Sequence, residues 1–245
     1  MDMIDLTNAV KEIDCVRVRG TSTKTLREQI AVEKHLKLIA NDKLITDFIF
    51  SPEFIEHLIR GHLIAEGYIS SNTNIENVSF TNETTCEVKY SLNEEISKPM
   101  KQTDEIISHE ELLEMKELLM KGQKLHKSTR GFHGALVTDL STKERFLCED
   151  IGRHNAVDKV IGYAAENDYD FSSCLILISG RLISNMVQKA CKAGIAGMAS
   201  MTVATDKGID AAKDANMTLI GSLSKDGFWL YNEGAIKIMN TGFDF

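Results

Sequence analysis

Five consecutive apolar residues, Cys174-Leu175-Ile176-Leu177-Ile178, constrain what this chain can fold into more than any other feature. A strand that is apolar without alternation is buried on both faces, so helices must cover its sheet above and below. The surrounding pattern agrees. Residues 155–165, 183–193 and 207–215 show helical spacing, the second of these stopping at Gly194. Residues 132–140, 145–148, 197–204, 217–221 and 228–231 show strand character. Strands alternating with helices at this spacing predict an α/β domain over 125–245 with a mostly parallel sheet.

The first half has a different texture. Residues 16–18 and 87–90 predict short strands, and residues 36–50 predict a hairpin turning around Asn41-Asp42-Lys43. Ser51 as an N-cap and Pro52 at the first helical position predict a helix through Phe54, Ile55, Leu58 and Ile59 that stops at Gly67. Residues 91–104 are polar and aperiodic and read as a linker or surface loop, after which Ser108 opens a second helix running to Gly122. The expected organisation is a β-rich N-terminal domain with one helix over 1–107, a bridging helix over 108–124 and the α/β domain, α+β overall.

Composition narrows the function classes. A net charge of −8 gives no general attraction to nucleic acid or acidic membranes, so an anionic ligand requires a local basic pocket. The acidic start, interrupted by Asp2, Asp5, Lys11 and Glu12, does not have the form of a signal peptide, and no run approaches a membrane span; a cytoplasmic protein is expected. Five scattered cysteines (Cys15, Cys86, Cys148, Cys174, Cys191) form no CxxC pair, which argues against a disulfide framework and against a cysteine zinc site.

Four segments carry candidate chemistry. Cys148 to Lys159 joins a strand to a helix through Gly152, and the helix start beyond it offers free N–H groups to an anion, with Arg153, His154 and Lys159 alongside. An ordinary strand-to-helix turn is the competing reading. Ser179-Gly180-Arg181 follows the buried strand, where open α/β sheets place ligands, though a tight turn with a solvated arginine explains it too. His133 lies between Gly131 and Gly134, and a lone strand histidine is more often packed than catalytic. Ser222-Leu223-Ser224-Lys225-Asp226-Gly227 could meet a phosphate or be a plain hairpin.

Taken together these segments resemble the FdhD/NarQ family. Residues 149–159 (EDIGRHNAVDK) are similar to that family's E-D-[VI]-G-R-H-N-A-[LV]-D-K signature. Ser179-Gly180-Arg181, Met186-Val187-Gln188-Lys189 and Ala193-Gly194-Ile195 resemble a second block. Residues 129–136 resemble a third, with Arg130 and Gly134 as departures; Thr218-Leu219-Ile220-Gly221 and residues 61–69 (GHLIAEGYI) also fit. The resemblance implies a cytidine-deaminase-like C-terminal α/β domain and a homodimer. It implies sulfur transfer from a cysteine desulfurase to a molybdenum cofactor, Mo-bis(molybdopterin guanine dinucleotide), destined for formate dehydrogenase or a related molybdenum or tungsten enzyme. By motif position, the cofactor or a guanine nucleotide such as GDP would meet His133, Gly152, Arg153, His154, Asn155, Ser179, Gly180, Arg181 and the turn Ser222, Leu223, Ser224, Lys225, Asp226 and Gly227.

One departure bears on the chemistry. The family's persulfide-forming C-x-x-C falls in the interval 91–107, which here contains no cysteine. Cys86 reads as lying at a strand edge, Cys148 beside Glu149 and Asp150, Cys174 in a buried strand and Cys191 on a core-facing helix side; none suits a relay that needs an accessible, electropositively placed thiolate. Two function classes therefore remain: a sulfurtransferase using an unrecognised cysteine, or a non-catalytic binding protein for a guanine nucleotide or molybdopterin. Zinc hydrolysis is not expected, because Ala135 stands where H-x-E needs glutamate and the only prolines, Pro52 and Pro99, leave no P-C-x-x-C.

Overall fold

The computed structural model describes residues 9–73, 75–82, 84–90 and 103–239. The expected linker and most of the interval 91–107 lie outside them. β1 (Val10–Arg19) and β2 (Ser22–Ala31) form a two-stranded antiparallel arm, of which local pattern had indicated only residues 16–18. The expected hairpin is present as β3 (Lys34–Ala40) and β4 (Lys43–Phe50), turning at Asn41 and Asp42, both with positive φ. The Asn41 amide also exchanges hydrogen bonds with the Tyr90 backbone.

The helix after the hairpin differs at its start. Ser51 and Pro52 do not open it; α1 runs Ile55–Ala65 with Phe54 as a left-handed N-cap. Ser51 is fully buried and its hydroxyl is used elsewhere, so the local capping signal was overridden by a long-range partner. β5 (Ile75–Asn82) and β6 (Thr85–Tyr90) complete a four-stranded sheet of order β4-β3-β6-β5. Cys86 therefore lies on an internal strand, paired on both sides and fully buried, and not at a strand edge.

β7 (Ile106–Ile107) leads to α2 (His109–Gly122), whose capping box is complete: the Ser108 hydroxyl accepts from Glu111 N, and the Glu111 carboxylate accepts from Ser108 N. α3 (Lys124–Thr129), β8 (His133–Asp139), β9 (Arg145–Asp150), α4 (Arg153–Glu166), β10 (Cys174–Ile178), α5 (Ser184–Ala193), β11 (Gly197–Ser200), α6 (Asp206–Asp214), β12 (Thr218–Ser224), β13 (Gly227–Asn232) and β14 (Lys237–Ile238) follow. The central sheet has the order β13-β12-β11-β10-β8-β9. It is not mostly parallel: β10/β11 and β11/β12 are parallel, while β9/β8, β8/β10 and β12/β13 are antiparallel. The tight turns after β8 and β12 impose antiparallel neighbours, whereas α5 and α6 supply the crossovers that parallel strands need.

β10 is buried at all five residues, as its composition requires. Ile176 and Ile178 face a core shared with α4 and α5, and Leu175 and Leu177 face a second core with Leu112, Met115 and Leu119 of α2. α2 is thus a layer of the central sheet, and not a bridge between halves. The first core also takes in α1 and the four-stranded sheet, so the described residues of the sheet and α1 share a core with the C-terminal unit. β7 pairs with β14, placing residues 106–107 with the C-terminal unit.

α1 and α4 meet at two glycines. A Cβ on Gly61 would lie 1.7 Å from the Asp158 carbonyl oxygen, and one on Gly162 would lie 2.0 Å from that of His57. Polar groups flank this crossing: Asp158 pairs with Lys189 at 3.0 Å and with His62 at 3.0 Å, and Lys189 pairs with Glu66 at 2.9 Å. Burial alone would lower the Lys189 pKa, but Asp158 and Glu66 hold its ammonium above the usual range.

Candidate functional site

The sheet register builds the site. Ala135 is paired with Ile178, and Ile178 with Ser200. Ala199 is paired with Ile220, which sets Ser200 beside Gly221, and Gly221 is paired with Trp229. His133 is paired with Asp150. The first residue of β8, the ends of β9, β10, β11 and β12, and the start of α4 therefore share one edge of the sheet, the carboxyl edge of the parallel strands, where ligands bind in open α/β sheets.

The signature segment divides into two sets of side chains. Asp150 and Lys159 are a fully buried ion pair at 2.6 Å. Asp150 Oδ2 also accepts from Ser51 N and Oγ, and Oδ1 accepts from Gly152 N at 2.7 Å and from the Asn155 amide at 3.0 Å. Lys159 donates to the Ser51 carbonyl, and Asn155 donates to the Ile49 carbonyl. Glu149 accepts from Leu125 N and His126 N, both at 2.8 Å, and so caps α3; burial holds its carboxyl above the usual range in spite of these donors. Gly152 has an ordinary φ of −98°, so no sharp turn calls for glycine there; a Cβ would lie 2.7 Å from the Asn155 amide nitrogen.

Arg153 and His154 form the other set. Arg153 makes no hydrogen bond or ion pair among the described residues, and the His154 Nε2 is buried without a partner. Both stand on the first turn of α4, whose N-cap Gly152 offers no side-chain acceptor, so its N–H groups and positive dipole end stay available. Arg153 lies against Gly180: a Cβ on Gly180 would be 3.8 Å from its Cδ. Partial burial, then the Arg153 and His126 charges, hold the His133 imidazole below its usual range.

The remaining expected residues are placed as follows. Ser179 continues the ladder with Gly134, donating its N–H to the Gly134 carbonyl and accepting Gly134 N on its hydroxyl. The Gly180 carbonyl accepts from Ser200 Oγ at 2.6 Å, and Arg181 is exposed one residue on. Ser222 sits at the same edge with φ 52°, its N–H bonded to the Thr202 carbonyl. The rest of that turn is held elsewhere. Leu223 is buried in the α2 core, and its carbonyl accepts from Lys116. Ser224 bonds within the hairpin to Gly227, and its carbonyl accepts from His109, while Lys225 and Asp226 are exposed at the tip. The structure thus brings His133, Arg153, Ser179 and Gly180 together, sets His154, Arg181 and Ser222 along the same edge, commits Asn155 to structural bonds, and sets Leu223 to Gly227 on the α2 side.

Ser200 and Thr202, whose hydroxyls bond each other at 3.0 Å, were missing from the expected set. Ending the strand at Ser200, and not at Ala204, would have placed them at the ligand-binding edge. The cleft lined by Glu53, Phe54, Gly122, Lys124, Leu125, Leu147 and Glu149 includes none of the expected residues.

The cysteines supply no activated thiol at this edge. Burial pushes the Cys86 thiol up to about 11 and the Cys191 thiol up to about 12, and it raises Cys148 and Cys174 as well. Cys15 on the arm and Cys191 on α5 are both half-buried, but burial raises the Cys191 thiol, so Cys15 is the one expected to react first. Native protein treated with a thiol-reactive disulfide at pH 8 is therefore expected to release one fast equivalent, lost in Cys15→Ser, with the others reacting on unfolding. Fast release from Cys148 or Cys174 would contradict the buried geometry.

Fold and edge together define a mixed α/β protein with basic and hydroxyl side chains clustered where its parallel strands end. A family model described as the FdhD/NarQ family matches residues 83–237. Protein FdhD of Methanocaldococcus jannaschii is 30% identical over 239 residues, covering 93% of this chain and 98% of that protein. Sulfur carrier protein FdhD of Sulfolobus acidocaldarius is 26% identical over 243 residues, covering 91% and 96%. This chain belongs to the FdhD/NarQ family. A solved structure from Desulfotalea psychrophila, described as a formate dehydrogenase accessory protein, shares the fold with a TM-score of 0.79 at 23% identity, covering 91% of this chain and 97% of that one. No helix among the described residues is long and apolar enough to cross a membrane.

Proposed function

We propose that this chain is an accessory protein that holds a phosphorylated guanine compound along the strand-end edge, on behalf of formate dehydrogenase or a related molybdenum or tungsten enzyme. The compound is Mo-bis(molybdopterin guanine dinucleotide) as cargo, or a guanine nucleotide such as GDP. One observation carries the reading: Arg153, unpaired on the uncapped first turn of α4, lies against Gly180 with His133 close by, and the next residue, His154, has a buried Nε2 without a partner. A guanidinium on the same turn as free helix N–H groups suits a phosphate. His133, held below its usual range, would meet it as a neutral imidazole at pH 7.

The family name and the relatives called sulfur carriers favour a second reading, delivery of sulfur from a cysteine desulfurase. The thiols favour holding without sulfur chemistry: four of the five are raised by burial, and Cys15 stands on the arm. Incubation with labelled persulfide from a cysteine desulfurase separates the readings. Stable label on Cys15 supports the carrier role; unlabelled protein that binds GDP supports the holding role.

Arg153→Ala is expected to weaken GDP binding by about 1.5–3 kcal/mol, the range for a hydrogen bond to a charged group. Arg181→Ala, one residue beyond Gly180, is expected to weaken it in the same sense. Titration calorimetry with unchanged affinity in both variants would remove the proposed site.

A further inference from the structure

Trp229 ends the row of residues that runs along the ligand-binding edge. The row reads Ala135, Ile178, Ser200, Gly221, Trp229 across β8, β10, β11, β12 and β13. β13 is the outermost strand, and Trp229 is 66% exposed, the most exposed of the large hydrophobic side chains described. An indole of this size left in water on a paired strand is not explained by packing. Gly221, directly opposite, leaves a space that a neighbouring ring could fill, but Tyr231 fills it: a Cβ there would lie 2.5 Å from Tyr231 Cε2. Trp229 is therefore free of that duty.

Its face is set by alternation along the strand. Leu230 is paired with Ile220, which belongs to the α2 core, so Trp229, opposite Gly221, is on the other face, shared by α4, α5 and α6. Arg153 opens α4 on that face beside Gly180. From β10, which Gly180 follows, to β13, which carries Trp229, is three strand spacings, roughly 14 Å at about 4.8 Å each. Between them lie the half-buried hydroxyls of Thr202 and Ser222, while that of fully buried Ser200 donates to the Gly180 carbonyl beneath. The edge thus has a cationic end, a hydroxyl-lined middle and an aromatic end.

We infer that Trp229 is the stacking platform for the planar ring of the bound nucleotide, with the phosphates at Arg153 and the sugar over Thr202 and Ser222. This rests on the phosphate site proposed above and assigns the ring end of the same ligand. Stacking of a base on an aromatic side chain is lost on alanine substitution and tolerant of which base it is, so Trp229 supplies affinity for a ring while Arg153 supplies affinity for charge.

The chain has a single tryptophan, so its fluorescence reports on this position alone. The test titrates the full chain with GDP and, separately, with inorganic pyrophosphate. GDP is expected to quench Trp229 emission and pyrophosphate to leave it nearly unchanged. Trp229→Ala is expected to weaken GDP binding about 5- to 100-fold by calorimetry. Pyrophosphate affinity should stay within about twofold in that variant, and Trp229→Phe should retain most of the GDP affinity. Arg153→Ala should weaken both ligands. GDP binding with equal affinity to wild type and Trp229→Ala overturns the ring assignment and leaves the phosphate site standing. Wild-type protein that binds neither ligand overturns both. Trp229 is exposed, so its replacement is not expected to disturb folding.

Discussion

Lys159→Met is expected to destabilise the protein by about 3–5 kcal/mol, read as a lower denaturant midpoint in urea. Lys159 and Asp150 are both fully buried, and their atoms approach to 2.6 Å. Removing the ammonium leaves the Asp150 carboxylate with the donors Ser51 N and Oγ, Gly152 N and the Asn155 amide, but without a compensating charge in a dry interior. The Ser51 carbonyl also loses its Lys159 donor. The loss is mainly the uncompensated charge and not the net worth of the pair, so the double variant Asp150→Asn, Lys159→Met should recover a large part of it. A midpoint for Lys159→Met equal to wild type would show that Asp150 is not held as a buried anion. Ser51 follows β4, whereas Asp150 and Lys159 flank the start of α4, so the pair fixes the site's helix against the N-terminal sheet. Arg153 depends on that geometry without touching it.

This division between holding and binding is what the sequence concealed. Residues 149–159 were legible as the chemically densest stretch, and Arg153 and His154 stand where a strand-to-helix junction should place them. Asn155 was expected among the binding residues, yet its amide is committed to Ile49 and Asp150. Its Ile49 partner, like Ser51 for Lys159 and His62 for Asp158, lies about a hundred positions away, and no local pattern can show that. The same distance explains Ser51, which looks like a helix cap and serves as a ligand to a buried salt bridge. β10, the β3–β4 turn and the end of α5 were readable because their signals are short-range: an apolar run, Asn-Asp turn chemistry, a terminal glycine. Cys86 was misplaced because β6 pairs in parallel with β3, across a long loop closure that periodicity does not encode. Beyond residues 16–18 the arm is not legible, because lysine, glutamate, aspartate and arginine interrupt its apolar alternation, as befits a strand pair exposed to water.

Gly61→Ala is expected to destabilise the protein by about 3 kcal/mol, at the upper end for overpacking by one methyl group. Overpacking is cheap when a flexible side chain can move aside. Here the added Cβ would sit 1.7 Å from the Asp158 carbonyl oxygen and 2.7 Å from Gly162 N, which are backbone atoms of a helix. Relief therefore requires α1 and α4 to separate as bodies. Separation also stretches the bonds beside the crossing, because His62 and Glu66 of α1 reach Asp158 of α4 and Lys189 of α5. Intrinsic helix propensity works in the opposite direction, since alanine is preferred to glycine by about 1 kcal/mol in a helix interior, so a net loss can only come from the crossing. Gly162→Ala meets the His57 carbonyl at 2.0 Å from the other side and should show a loss of similar size. Because either methyl group forces the same separation, the double variant should lose less than the sum of the two. Strict additivity would mean that the two glycines do not share one seam. An increase in stability from either would mean that the helices do not touch there, and the N-terminal sheet would then have no rigid hold on the helix that presents Arg153.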